Sequence, residues 1–161
     1  MHADDPAIRP GSPSVFDFDV LFKEVDRLYA DLARGCGLSD CAYWVMYALE
    51  AEGGVATQRV LVGRLGYTKQ TINSAVRSLA RRGLVSLGFS EGSRLSKDVA
   101  LTEEGRAFVR ERVRPAMDAE VRAFATLSAA DQGELLRLAT AYAGAVREQV
   151  EAMGLEAGEA R

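Results

Sequence analysis

At 161 residues and a net charge of −3, the chain fits one domain, or one domain with an oligomerising extension. No apolar run approaches the ~18 residues of a membrane span, and the N-terminus lacks a signal-peptide core. Two cysteines and one histidine are too few for a structural zinc site of the common types, so a reduced, cytoplasmic protein without metal or cofactor is expected.

Met1 to Ser14 holds Pro6, Pro10 and Pro13 and little apolar content, and reads as a mobile tail. His2 within it reads as incidental. Phe16 to Arg34 reads as a first helix, with Phe18, Leu21, Phe22, Val25, Leu28, Tyr29 and Leu32 recurring at three and four. Gly35 and Gly37 end it. The stripe is wide enough to serve both core and dimer interface.

Ser39 opens a second helix to about Ala51, carrying Tyr43, Trp44 and Tyr47. An aromatic stripe at helical spacing usually packs, so Trp44, Val45, Ala48 and Leu49 are expected in the core. The sharper reading is that Tyr43, Trp44 and Tyr47 line a small-ligand site. Cys36 and Cys41 flank this helix start. A cysteine there can have a depressed pKa and react with oxidants, but no basic residue adjoins Cys41. Two ordinary thiols are favoured, with a thiol-based redox sensor as the alternative.

Glu52 to Ala56 is a turn with Gly53-Gly54, entering a short strand at Val55. Thr57 caps a short third helix from Gln58 to Leu65, with Leu61, Val62 and Leu65 inward. Gly66-Tyr67 is a tight turn, and Thr68 to Arg82 follows at once as a helix capped by Thr68 and stopped by Gly83. Two short helices across a glycine turn form a helix-turn-helix. On the second helix Ile72, Val76 and Leu79 share one face, while Lys69, Gln70, Asn73, Ser74, Arg77 and Arg81 fall off it. That outer face has no acidic residue. Gln and Asn can pair bidentately with adenine, Arg and Lys with guanine. Charge is concentrated here. Thr57 to Lys97 holds eight basic residues and one acidic, a local +7, and the remainder carries −10. A cationic island in an anionic body favours a polyanion at one place.

Leu84 to Phe89 alternates as a strand, Ser90 to Ser96 suits a hairpin tip, and Val99-Ala100-Leu101 is the returning strand. Arg94 at the tip and Lys97 on the return limb are placed to touch a phosphate backbone or a minor groove. Thr102 caps a long fifth helix with Glu103 and Glu104 in its first turn. Pro115 should kink or break it, since it has no N–H to donate. Met117, Val121 and Phe124 resume the apolar pattern. Ser128 opens a last helix striped by Leu135, Leu138, Ala139, Tyr142, Val146 and Val150, and Gly154 to Arg161 reads as frayed.

The order of elements resembles the MarR family of winged-helix transcription regulators. Leu65-Gly66-Tyr67-Thr68, Thr71-Ile72, Val76, Leu79 and Arg82-Gly83-Leu84-Val85 look like its helix-turn-helix. Arg94, Lys97, Val99-Ala100-Leu101-Thr102 and Gly105 look like its wing and the start of its fifth helix. The wing tip departs from the family pattern, since Ser93 precedes Arg94 where an acid often stands. The resemblance implies a homodimer of interlocked terminal helices on a near-palindromic operator, often a repressor released by a phenolic or other small ligand, or by thiol oxidation. The sensing cysteine of the family's hydroperoxide sensors lies in the first helix. Cys36 falls at or after the end of that helix, so that role is not carried over.

The expected fold is mainly α with a small β-hairpin wing: a winged helix-turn-helix (52–101) between dimerisation helices (15–38 and 102–153), after a tail at 1–14. The expected function is sequence-specific binding of double-stranded DNA, not enzymatic turnover. Asn73, Gln70, Lys69, Ser74 and Arg77 are the candidates for base and near-base contacts. Thr57, Gln58, Arg59, Thr68, Thr71, Arg81 and Lys97 would position the backbone, and Arg94 would reach the minor groove. The alternatives are a winged helix used as a protein-interaction module, and redox sensing through Cys36 and Cys41.

Overall fold

The computed structural model describes residues 14–89 and 97–154. The hairpin tip with Arg94, the stretch 1–13 with His2, and the C-terminal 155–161 lie outside the described residues. The chain divides into two compact units, Met1–Asp40 and Cys41–Arg161.

The first unit contains helix α1 (Val15–Gly35). Ser14, read from sequence as the end of a tail, is the N-cap of this helix. Its hydroxyl accepts from the Asp17 N–H, and the Asp17 carboxylate accepts from the Ser14 N–H at 3.0 Å. This reciprocal box satisfies two first-turn donors, which is why the helix starts here. At the other end the Leu38 N–H donates to Ala33 O at 2.9 Å and the Gly37 N–H to Arg34 O at 2.9 Å, a Schellman closure. Phe16, Leu21, Phe22, Val25 and Leu28 remain exposed.

The second unit holds α2 (Asp40–Ala51) from Cys41 onward, followed by strand β1 (Val55–Thr57), α3 (Gln58–Leu65) and α4 (Lys69–Arg81). Strands β2 (Val85–Phe89) and β3 (Lys97–Leu101) come next. The sheet order is β1-β3-β2, all antiparallel, with Ala56 opposite Val99 and Val85 opposite Leu101. The two short strand pairs thus clamp β3, whose Val99 and Leu101 are buried. Leu87 stays half-exposed because β2 is an edge strand with a neighbour on one side only. The core of this unit is supplied by Tyr43, Val45, Met46 and Leu49 of α2, Leu61 of α3, and Ile72, Val76 and Leu79 of α4. Val109 and Val113 complete it from the C-terminal side.

The long fifth helix expected from sequence is three segments: α5 (Glu103–Phe108), a π-helical turn (Val109–Val113) and α6 (Arg114–Phe124). The Arg114 N–H donates to Val109 O, five residues back. The wide turn ends just before Pro115, which has no N–H to give the preceding turn, and the five-residue bond from Arg114 carries the helix past it. The expected break is therefore a widening placed one turn before the proline. Helix α7 (Ala129–Ala152) is capped by Ser128, whose hydroxyl accepts from the Asp131 N–H. Neither α6 nor α7 buries a residue fully. No described helix is long and apolar enough to cross a membrane.

Candidate nucleic-acid interface

Two caps position the outer face of the helix-turn-helix. The Thr57 hydroxyl accepts from the Val60 N–H at 3.2 Å at the start of α3. The Thr68 hydroxyl accepts from the Thr71 N–H at 3.1 Å at the start of α4, and the two threonine hydroxyls lie 2.8 Å apart. Gly66 closes α3 with φ +68. Thr57, Thr68 and Thr71, proposed from sequence as phosphate contacts, are thus first of all the groups that start the two helices. Each such cap contributes ~1 kcal/mol.

Ile72, Ala75, Val76 and Leu79 form the buried face of α4. A helix turns about 100° per residue, which puts Gln70, Ser74, Arg77 and Arg81 diametrically opposite. All four are exposed. Lys69 and Thr71 are exposed on the flanks, and Asn73 is half-buried at the shoulder. Gln58 is half-buried and Arg59 exposed at the start of α3.

The basic island divides into two groups. Arg64 is paired with Glu52 at 2.9 Å, and the Arg82 guanidinium sits 5.5 Å from the centre of the Phe108 ring, so both are tied to the body. Arg59, Lys69, Arg77 and Arg81 are exposed and form no ion pair among the described residues. Lys97 opens β3 opposite Phe89.

The wing is fixed at its base. The Thr102 hydroxyl donates to Gly83 O at 2.6 Å and accepts from the Gly105 N–H at 3.0 Å. The Thr102 N–H donates to Leu84 O at 3.2 Å, and the Leu101 N–H to Gly54 O at 2.8 Å. A side chain at Gly105 would collide with the Leu84 carbonyl, so glycine is required for α5 to start this close to the end of α4.

The proposed aromatic ligand site is rearranged. Tyr43 is fully buried and belongs to the core. It faces inward because α2 turns its Tyr43–Met46 side to the core, and a ligand cannot reach it without repacking. Trp44 is half-buried, 5.2 Å from the Tyr47 ring centre to centre. Tyr47 alone of the three lines a cleft of about 420 Å³, with Glu120, Val121, Phe124, Ala125 and Gln132. The Tyr47 hydroxyl donates to Glu120 Oε2 at 2.5 Å. Burial, that hydrogen bond and the Glu120 charge together hold the phenol protonated well above its usual range. Glu120 and Gln132 carry no assignment from sequence, and Phe124 is expected there only as part of an apolar stripe. The signal was Glu120 itself, a carboxylate set at helical spacing among Met117, Val121 and Phe124.

Cys41 is buried, and loss of solvent pushes its thiol up to about 11. Cys36 is half-buried and reduced.

Residues 37–94 match the model of the MarR family. A MarR family regulator from Neisseria meningitidis has the same fold at 20% identity and a TM-score of 0.74, covering 88% of this chain and 99% of that one. The MepR–DNA complex of S. aureus aligns with a TM-score of 0.64 at 17% identity, over 84% of this chain and 98% of that one. BpsR of Bordetella bronchiseptica, whose DNA binding is regulated by 6-hydroxynicotinic acid, aligns at 20% identity and a TM-score of 0.56, over 78% and 98%. No curated protein matches the chain. The family model matches the helix-turn-helix region, and the solved structures share this mainly helical architecture with its three-stranded antiparallel sheet, so the chain has the winged-helix fold.

Proposed function

We propose that the protein is a homodimeric, sequence-specific DNA-binding transcription regulator, a repressor on a near-palindromic operator, released by a small ligand. The observation that carries the DNA reading is the outer face of α4: Gln70, Ser74, Arg77 and Arg81 exposed in one stripe, with no acidic side chain on the helix. Gln70, Asn73, Ser74 and Arg77, with Lys69 in the first turn, supply donors and acceptors for base edges. Thr57, Gln58, Arg59, Thr68, Thr71, Arg81 and Lys97 are assigned to the phosphate backbone, and Arg94 to the minor groove. The dimer reading is supported by α6 and α7, which expose Val121, Leu135, Leu136, Leu138 and Val146 and bury nothing fully by themselves. A two-fold dimer matches a palindromic site.

Operator sequences would be selected from a random duplex pool and titrated by fluorescence anisotropy over a salt series, with sedimentation run in parallel. Neutralised phosphates release counterions, so log affinity should fall linearly with log salt. A flat salt response, or a monomer on the selected site, would overturn the reading. The protein-module alternative predicts the flat response, and the acid-free face disfavours it.

A further inference from the structure

Three polar side chains line the cleft between α2 and the α6–α7 corner, and all three offer lone pairs. The Tyr47 hydroxyl uses its proton on Glu120, leaving its oxygen as an acceptor. Gln132 Nε2 donates to Phe124 O at 3.0 Å and to Leu127 O at 3.1 Å. Both of its N–H bonds are engaged in closing the turn before α7, which leaves the amide oxygen. The Glu120 carboxylate accepts from the Tyr47 hydroxyl, and no Lys or Arg pairs with it among the described residues. Arg114, one helical turn and more away, is held instead by Glu50 at 2.5 Å and Asp118 at 3.3 Å. The remaining walls are Val121, Phe124 and Ala125. An anion or a phenolate entering here would meet a carboxylate and no donor. A cation would meet a carboxylate, two neutral acceptors and two aromatic rings, the partners that attract ammonium groups. The volume, about 420 Å³, suits a small organic molecule.

We propose that the Tyr47–Glu120–Gln132 cleft binds an organic monocation with an apolar body, such as an arylalkyl ammonium, with Glu120 as its counter-charge and Tyr47 and Phe124 as its walls. As an effector site it rests on the regulator reading. As a binding site it stands by itself. It departs from an anionic or phenolate effector, which would bring acceptors to a cleft that offers acceptors and a carboxylate charge.

The test is calorimetric titration of the full chain with benzyltrimethylammonium, benzyl alcohol and benzoate. Fluorescence of Trp44, the single tryptophan, beside Tyr47, gives a second readout. The cation should bind saturably, at least tenfold tighter than the alcohol, and benzoate should be weakest. Glu120→Gln keeps the shape and an acceptor for Tyr47 but removes the charge, and should weaken the cation at least tenfold. Tyr47→Phe keeps the ring and frees the carboxylate, and should bind the cation within a few-fold of the parent. Benzoate binding as well as the cation, no saturable cation binding to the folded parent, or undiminished cation binding by Glu120→Gln would overturn the assignment. Operator affinity is measured in the same samples. Cation binding without any change in DNA affinity supports the site and removes the effector role. Intact DNA binding with no cation binding removes the site and leaves the DNA reading in place.

Discussion

Thr102 donates its hydroxyl to the carbonyl oxygen of Gly83 at 2.6 Å, across the whole length of the wing. One side chain thereby links the end of α4, the root of β2 and the start of α5. Gly83 itself, at φ +72, ends α4 by donating to Ala80 O while Leu84 donates to Leu79 O. Thr102→Ala removes a helix cap and leaves Gly83 O without this donor. It should cost ~1–2 kcal/mol, while Thr102→Ser should cost well under half of that. Gly105→Ala forces a methyl into the Leu84 carbonyl and should cost at least ~1–3 kcal/mol. Urea midpoints at constant slope check all three. A neutral Gly105→Ala would mean that α5 can shift away from Leu84 freely.

The same residues show why the helix-turn-helix and wing base were legible. Thr57, Thr68 and Gly83, and Thr102 as the cap of Gly105, each act within a few residues of their own position, and local chemistry writes local signals; the reach of Thr102 to Gly83 and of Gly105 to Leu84 spans the wing and leaves no such signal. The buried face of α4 followed from its period for the same reason. The cleft was not legible, because it depends on Glu120 and Gln132 meeting Tyr47 across 73 and 85 positions of sequence. Tyr43 and Tyr47 are four apart and were read as equivalent. Only packing decides that one is core and the other lines the cleft.

Gln70 and Arg81 separate reading from positioning. Both lie on the outer stripe of α4, but Gln70 is in the first turn and Arg81 in the last. A helix that enters the major groove by its N-terminal residues places Gln70 at base edges and Arg81 at the backbone. Gln70→Ala should relax preference at one base pair per half-site and cost ~1–3 kcal/mol on the selected operator. Arg81→Ala should weaken all sequences alike and reduce the salt slope by about one contact per protomer. Repeating the site selection and the salt series with each variant checks this. A uniform loss from Gln70→Ala, with a changed base preference from Arg81→Ala, would reverse the assignment.

Pro115 tests the meaning of the π turn. A proline inside an unbroken helix costs ~3 kcal/mol, through a lost hydrogen bond and a clash with the preceding turn. Here the Arg114 N–H already bonds to Val109 O, and Pro115 sits in the first turn of α6. The widening absorbs most of that cost. Pro115→Ala should therefore change stability by less than ~1 kcal/mol, against ~3 for relief of a strained helix. Urea unfolding distinguishes the two. A gain near the larger figure would show that the turn does not accommodate the ring.

Cys41 tests the redox alternative. Burial disfavours the thiolate and pushes the thiol up to about 11 from 9.0. The reactive species is the thiolate, so at neutral pH native Cys41 presents almost none of it. Iodoacetamide at pH 7.5 should leave Cys41 unmodified in the folded protein and label it promptly in urea, as read by peptide mass. The linkage has a definite sign. The folded state holds the proton more tightly, so this contribution to stability is complete below pH 9.0 and is lost as pH rises towards about 11. Cys41→Ser should flatten that alkaline fall, and the Cys36→Ser/Cys41→Ser double variant should bind its operator as the parent does, with peroxide affecting neither. Alkylation of Cys41 ahead of Cys36 in the native protein, or peroxide release of the parent but not the double variant, would restore the thiol-sensing reading.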